Sequence, residues 1–368
     1  MATAAATIPA TIDDVDAAWL TGRLRAADAL EGTTSVADVD VEPIGVGIGV
    51  MSLLYRLTLG YQHADTGPAS LVVKLPSLHG PTREVARGYR FYGREAAFYT
   101  HLGGQTRLPS PSCYYAAHDA TTDDFVLLME DLSGLRVCDQ LGGCSLDDAL
   151  LIATTLARHH AEWWNNPRLL DYPFIESPAD PPYPQYNARS VTDAWTACLE
   201  HVGDLVPDHL HHVGERWPEI GPRIMEMTRD QPWTLTHGDV RLDNVFFHDD
   251  ADGSLSVVDW QICYRSAAAT DLAYFMSQSL AVADRRAHEA DIVGSYYEAL
   301  VAGGVEGYSL DDLWRDYRRG ILFCFCYPVS TAGQLDLVNE RAVALVRCMT
   351  ERSVAAIDDL DATELIPV

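Results

Sequence analysis

The sequence predicts an α+β fold in two parts, 1–132 and 133–368, with the seam near Glu130–Leu135. Three observations carry this expectation. Strand-forming residues fill the first third of the chain around one main helix. Helical periodicity around a single strand–turn–strand fills the rest. The length, 368 residues, exceeds one domain of roughly 100–200 residues.

Residues 12–30 space Val15, Ala18, Trp19, Leu24 and Leu30 as a helix does, with Asp13 and Asp14 near its start. Strands are expected over 39–46, 51–62 and 69–77, the last two separated by the polar HADTGP. A helix from Thr82 to Leu102 follows, carrying Arg94 and Glu95. Two more strands, 110–120 and 124–132, flank a TTDD turn. After Leu132 the period changes. Residues 146–165 read as an amphipathic helix capped by Ser145, 166–190 as a Pro-rich irregular loop, and 191–230 as helical. The strand–turn–strand spans 244–260, and helices are expected near 267–283, 285–302, 309–332 and 335–360. No internal repeat is evident.

Composition excludes several classes. With 26 Lys+Arg against 53 Asp+Glu, the net charge is −27, unsuited to nucleic acid or an anionic membrane, which demand clustered basic residues. The acidity favours a cationic ligand only weakly, because it also serves solubility. Eight Cys without a CxxC pair point to a reduced, cytoplasmic protein. The N-terminus lacks the basic and apolar regions of a signal peptide, and no apolar run approaches the ~18–20 residues of a membrane span.

The basic residues hold a sharper signal: 25 are Arg, and the one Lys is Lys74. It sits between Val73 and Leu75 in an apolar strand, where an ammonium is costly unless paired or bound to an anion. Glu95 on the next helix is the expected partner and nucleotide phosphates the expected anion. The alternative is a solvated strand lysine.

Residues 237–244 read HGDVRLDN, and Asp259 follows after the hairpin. Phosphoryl transfer from ATP needs a carboxylate to orient the attacking hydroxyl and accept its proton, and oxygen ligands for Mg²⁺. Asp239 suits the first task. Asn244 and Asp259 suit the second, since Mg²⁺ keeps several waters and takes few protein ligands. The bland alternative is a turn of good turn formers. Upstream, Gly45, Gly47 and Gly49 supply backbone freedom to close over phosphates, although a plain hairpin turn explains them equally well. Ser52 adds a hydroxyl.

In this order, glycine hairpin, strand Lys, helix Glu, MEDL crossover, HGDxxxxN loop and Asp-Trp-Gln, the chain resembles the protein-kinase-like fold. The aminoglycoside phosphotransferase and choline kinase branch, with HGD in place of HRD, is the best match. HGDVRLDN, Asp259-Trp260-Gln261 and Asp271-Leu272-Ala273-Tyr274-Phe275 resemble the ecdysteroid-kinase-like group and its bacterial relatives. The resemblance spans about residues 40–340 and is loose in the substrate half. It implies a bilobal fold, an antiparallel β-sheet lobe followed by a mostly helical one, with ATP (or GTP) and Mg²⁺ between them. It implies Asp239 as base, His237 bracing its loop, Asn244 and Asp259 on Mg²⁺, and Lys74, fixed by Glu95, on the α/β phosphates. Adenine would meet the backbone around Glu130–Leu132, and Asp271 would support the catalytic loop. The glycine loop departs from the protein-kinase form, and no DFG or APE is present.

The expected activity is therefore phosphoryl transfer to a hydroxyl of a small molecule: an aminoglycoside, an amino sugar, or a choline-like or sterol-like alcohol. The alternatives are a non-catalytic nucleotide-binding regulator and, less in keeping with Lys74, a metal-dependent phosphohydrolase. His159, His160, His209, His211 and His212 read as packed or solvated helix faces rather than a metal site. Trp163, Trp164, Trp195, Trp217 and Trp233 read more as core than as pocket.

Overall fold

The chain divides into two units, Met1–Gly134 and Leu135–Val368, in a computed structural model that describes residues 8–45, 51–63, 67–229, 232–248, 253–334 and 340–367. In the first unit α1 (Ala17–Ala26) precedes β1 (Val36–Ile44), β2 (Ser52–Tyr61) and β3 (Ser70–Pro76). Then come α2 (Gly80–Tyr89), α3 (Phe91–His101), β4 (Cys113–His118) and β5 (Phe125–Glu130). The strands form one antiparallel sheet in the order β1-β2-β3-β5-β4.

Alternation along β3 decides what each face of that sheet does. Leu71, Val73 and Leu75 join Leu57, Leu59, Val126 and Leu128 in a buried cluster with Leu20 and Leu24 of α1. Lys74, one residue out of phase, points to the other face, and its partner Glu95 comes from α3. The two helices therefore cover opposite faces.

Two helices here differ from expectation. The one expected over 12–30 is confined to α1, because the Asp16 carboxylate accepts the Trp19 N–H at 2.7 Å and fixes the start. The one expected over 82–102 is split at Arg90, which adopts φ +60°. Arg94 donates to the Tyr89 carbonyl at 3.0 Å, taking up an acceptor that the break leaves open. The Tyr89 and Phe91 rings stack across the break with centroids 5.0 Å apart.

The second unit contains β6 (Arg136–Val137), α4 (Leu146–Glu162), α5 (Tyr183–Val202), α6 (Asp208–Glu215), α7 (Trp217–Met227), β7 (Trp233–Thr236), β8 (Val245–His248) and β9 (Ser254–Val257). It continues with β10 (Tyr264–Ala267), α8 (Ala269–Ser279), α9 (Val282–Ala302), α10 (Leu310–Cys324), α11 (Cys326–Gln334) and α12 (Glu340–Asp359). Ser145 caps α4 as expected. The Pro-rich stretch is irregular only as far as Tyr183, where α5 starts; Pro184 sits in the first turn, which needs no N–H from it. The helix expected over 309–332 breaks at Phe325 into α10 and α11, and 335–339 lie outside the described residues.

Two small sheets position the loops that matter. β8 pairs with β9 and with β6, and β7 pairs with β10, all antiparallel. Residues 237–244 run from β7 to β8, and residues 258–263 run from β9 to β10. Both loops join the same two sheets, so pairing alone sets them side by side.

Candidate active site

In the first unit the Lys74 ammonium lies 2.8 Å from both oxygens of Glu95. Lys74 is 6% exposed and Glu95 1%. A pair this buried contributes little net stability over an apolar replacement, so its retention asks for a use. Tyr92 ties the start of β2 to the end of β3, donating to the Met51 carbonyl and accepting from the Ser77 N–H. Gly45 takes φ +67°, a conformation that suits glycine. Gly47 and Gly49 lie outside the described residues. Ser52, at the mouth of β2, has a buried hydroxyl with no hydrogen-bond partner among the described residues. An orphaned buried hydroxyl just after a glycine-rich segment fits an anionic ligand there. Glu130 is exposed, and its N–H is committed to the Ser112 carbonyl at 2.9 Å, which leaves it no donor for a base; Leu132 is buried.

In the second unit the backbone is arranged before the side chains. Gly238 has φ +85°, and a Cβ there would stand 2.3 Å from the Ile262 carbonyl oxygen. Only glycine lets the two loops approach this closely. Asp271, buried on α8, accepts the His237 N–H at 2.7 Å on one oxygen and the Gly238 N–H at 2.8 Å on the other. His160 Nε2 sits 3.1 Å from Asp271, and His160 Nδ1 sits 2.7 Å from the Tyr296 hydroxyl. Burial pushes the Asp271 carboxyl upward, but its hydrogen bonds and the nearby His160 outweigh this and hold it below the ordinary range.

His237 accepts the Asp239 N–H on Nδ1 at 3.2 Å and donates from Nε2 to the Val258 carbonyl at 2.9 Å. Complete burial lowers its pKa, so it stays neutral and links the two loops. Asp239 is held from both sides. Tyr274 donates to Oδ1 at 2.6 Å, and Asn244 Nδ2 donates to Oδ2 at 3.1 Å and to the Asp239 carbonyl at 2.9 Å. Burial, followed by the charge of Asp239, raises the Tyr274 pKa, which keeps it a donor. Because the Asn244 nitrogen is committed to Asp239, its amide oxygen is the end left for a metal. The Asn244 carbonyl accepts the Val258 N–H at 3.0 Å, so Asp259 is next in line. Asp259 is half-buried with φ +69°, a backbone state unusual outside glycine. An amide oxygen and a carboxylate are the hard donors that Mg²⁺ takes. Among the described residues no group of three or more His, Cys, Asp or Glu could hold a metal ion, so the candidate donors are the Asn244 amide oxygen and the Asp259 carboxylate.

The loop thus brings together Asp239, His237, Asn244 and the neighbourhood of Asp259 from one stretch of β7–β10. Several supporting residues carried no sequence motif. Gln140 accepts the Leu242 N–H at 2.8 Å, and His160 and Tyr296 back Asp271. Tyr274 had a signal: it lies three residues after Asp271, on the same helix face. His159 and His160 are packed, not exposed. His159 Nε2 bonds the Leu235 carbonyl at 2.9 Å, and burial drives its pKa down to about 3. Trp163, Trp195 and Trp217 are core, Trp217 donating to Asn187 at 2.8 Å. No described helix is long and apolar enough to cross a membrane.

An antiparallel sheet unit carrying a strand lysine paired to a helix glutamate, followed by a helical unit carrying this loop, defines a small-molecule kinase of the protein-kinase-like fold. The chain belongs to the ecdysteroid kinase-like family, whose model matches residues 47–304. Solved structures share the fold at low identity. Choline kinase from Cryptosporidium parvum is 9% identical with a TM-score of 0.55, covering 96% of this chain and 98% of its own. Plasmodium vivax ethanolamine kinase is 13% identical with a TM-score of 0.53, covering 88% and 81%. A mutant aminoglycoside 2'-phosphotransferase in its GDP complex is 13% identical with a TM-score of 0.52, covering 93% and 99%. No curated protein matches the sequence.

Proposed function

We propose that this kinase moves the γ-phosphoryl group of ATP, or of GTP, to a hydroxyl of a small molecule in a Mg²⁺-dependent reaction. The observation that carries the reading is the grip on Asp239, whose two oxygens each accept a hydrogen bond from a separate element. A carboxylate fixed this way serves a proton transfer that depends on orientation. Asp239 takes the proton of the acceptor hydroxyl while the acceptor's oxygen bonds to the γ-phosphorus. The bond from that phosphorus to the bridging oxygen breaks, and its electron pair leaves with the nucleoside diphosphate. Lys74, steadied by Glu95, holds the α/β phosphates, and the Ser52 hydroxyl and the glycine segment bind beside it. Asn244 and Asp259 would hold Mg²⁺, which when bound neutralises charge on the phosphate oxygens. His237 keeps the loop in shape and takes no proton. The compartment we propose is the cytoplasm.

The test is nucleotide consumption with Mg²⁺ across aminoglycosides, amino sugars, choline-like amines and sterols. Asp239→Asn should lower kcat on the best acceptor by about 10²–10⁴. Full activity in that variant would remove Asp239 as the base.

A further inference from the structure

Gln140, in the connection from β6 to α4, is 1% exposed and uses both ends of its amide. Its Oε1 accepts the Leu242 N–H at 2.8 Å and the Ser279 hydroxyl at 3.3 Å. Its Nε2 donates to the Gln278 carbonyl at 2.7 Å, one of the last four of α8, which the helix itself leaves without a partner. A backbone donor at one end and a backbone acceptor at the other allow the amide a single orientation. Arg352 of α12, 5% exposed, fixes the segment from behind. It donates to the Gln140 and Gln278 carbonyls at 2.7 and 2.9 Å, and to the Leu141 carbonyl at 2.9 Å.

The residue held this way matters for the candidate site. Leu242 opens the short turn Leu242–Asn244, two residues before the amide whose oxygen faces the proposed metal. The 237–244 loop is thus gripped twice. Asp271 takes the N–H groups of His237 and Gly238 at its start, and Gln140 takes that of Leu242 further on. Both grips lead back to α8, to Asp271 in its first turn and to the Gln278 carbonyl in its last. One helix therefore holds the Asp239 end of the loop directly and the Asn244 end through a glutamine. Mg²⁺ demands near-ideal geometry at roughly 2.0–2.1 Å, so a small displacement of an oxygen donor is felt in its affinity. Nucleotide phosphates held by a lysine on another element are not displaced with it.

We propose that Gln140 is a positioning residue for the metal-binding end of this loop, held in place by Arg352. This rests on the phosphotransferase reading above, in which Asn244 gives an oxygen to the metal. Replacing a group that orients a metal ligand from behind typically changes metal affinity by roughly 10–100-fold.

The test is Mn²⁺ binding, in place of Mg²⁺, followed by electron paramagnetic resonance on the full chain with ADP present, beside calorimetric binding of ADP without metal. Gln140→Met keeps the length of the side chain but neither polar end. It should weaken Mn²⁺ binding by roughly 10–100-fold and leave metal-free ADP affinity as in wild type. Gln140→Glu keeps an oxygen for the Leu242 N–H and should retain most of the Mn²⁺ affinity. Gln140→Asn, one carbon shorter, withdraws that oxygen and should behave as Gln140→Met does; it decides the matter if Gln140→Met does not fold. Unchanged Mn²⁺ affinity in these two variants would overturn the assignment, even beside a lowered thermal midpoint, the mark of an amide that merely ties helices together. Equal losses in Gln140→Glu and Gln140→Met would also overturn it, because the contact to Leu242 would then not be what counts. Wild type that binds no Mn²⁺ with ADP would remove the phosphotransferase reading and this role together. Wild type that binds it beside an unaffected Gln140→Met would remove Gln140 alone.

Discussion

The two units hold their candidate functional side chains in opposite ways. In the first, one ion pair links a strand to a helix: Lys74 to Glu95, with apolar packing around it. In the second, Asp239 sits in a web in which Asp271 grips the loop backbone, His237 ties it to the next loop, and Tyr274 and Asn244 fix the carboxylate. A phosphate-holding charge tolerates small shifts because Coulomb attraction falls slowly with distance. A base in proton transfer does not, because a misplacement of about 1 Å can cost 10²-fold. The density of hydrogen bonds follows the precision each proposed task needs.

The widest contrast should appear between charge removal and pair removal in the first unit. Glu95→Leu alone leaves a buried ammonium unpaired and should destabilise the chain by about 3–5 kcal/mol. The double variant Lys74→Met/Glu95→Leu should recover most of that in urea titrations while nucleotide affinity stays lost. If the double variant regains affinity, the lysine is not a phosphate ligand.

The second unit should show a rate effect with nucleotide affinity kept. Tyr274→Phe removes one charge-assisted hydrogen bond, worth about 1.5–3 kcal/mol, and should lower kcat by roughly 10–100-fold with nucleotide affinity unchanged. In an Asp239→Asn background the same change should cost much less, because the two act as one unit. Equal losses in both backgrounds would separate Tyr274 from the base.

A smaller effect concerns acid. His159 is neutral and buried, with its pKa lowered to about 3 from 6.5. Between those values the unfolded chain binds a proton that the folded chain refuses, so stability falls as pH drops below 6.5 towards 3. Moving from pH 7 to pH 5 should cost about 2 kcal/mol through this residue. His159→Gln, which can still donate to the Leu235 carbonyl, should flatten that slope in urea midpoints measured at both pH values. An unchanged slope would place the acid sensitivity elsewhere.

Much of the candidate site was legible because its chemistry is local. HGDVRLDN packs the proposed base, its neighbouring histidine and an amide into eight residues, and a lone lysine in an arginine-rich chain stands out whatever the fold. The apolar alternation of β3 even indicates that Lys74 leaves the Leu71–Val73–Leu75 face. Helix ends were read less well, because a break at Arg90 depends on a cap from Arg94 and on ring stacking, which periodicity does not register.

What the chain determined by itself was the kind of side chain available at each step and its spacing along the backbone. That Gly238 must be glycine was decided only in three dimensions, by the Ile262 carbonyl that crosses it. That Asn244 and Asp259 belong together was decided by the pairing of β7 with β10 and of β8 with β9. So was the service of Gln140 to Leu242, 102 positions away, and of His160 to Asp271, 111 positions away. The physical reason is that a hydrogen bond acts over about 3 Å of space and is blind to separation along the sequence.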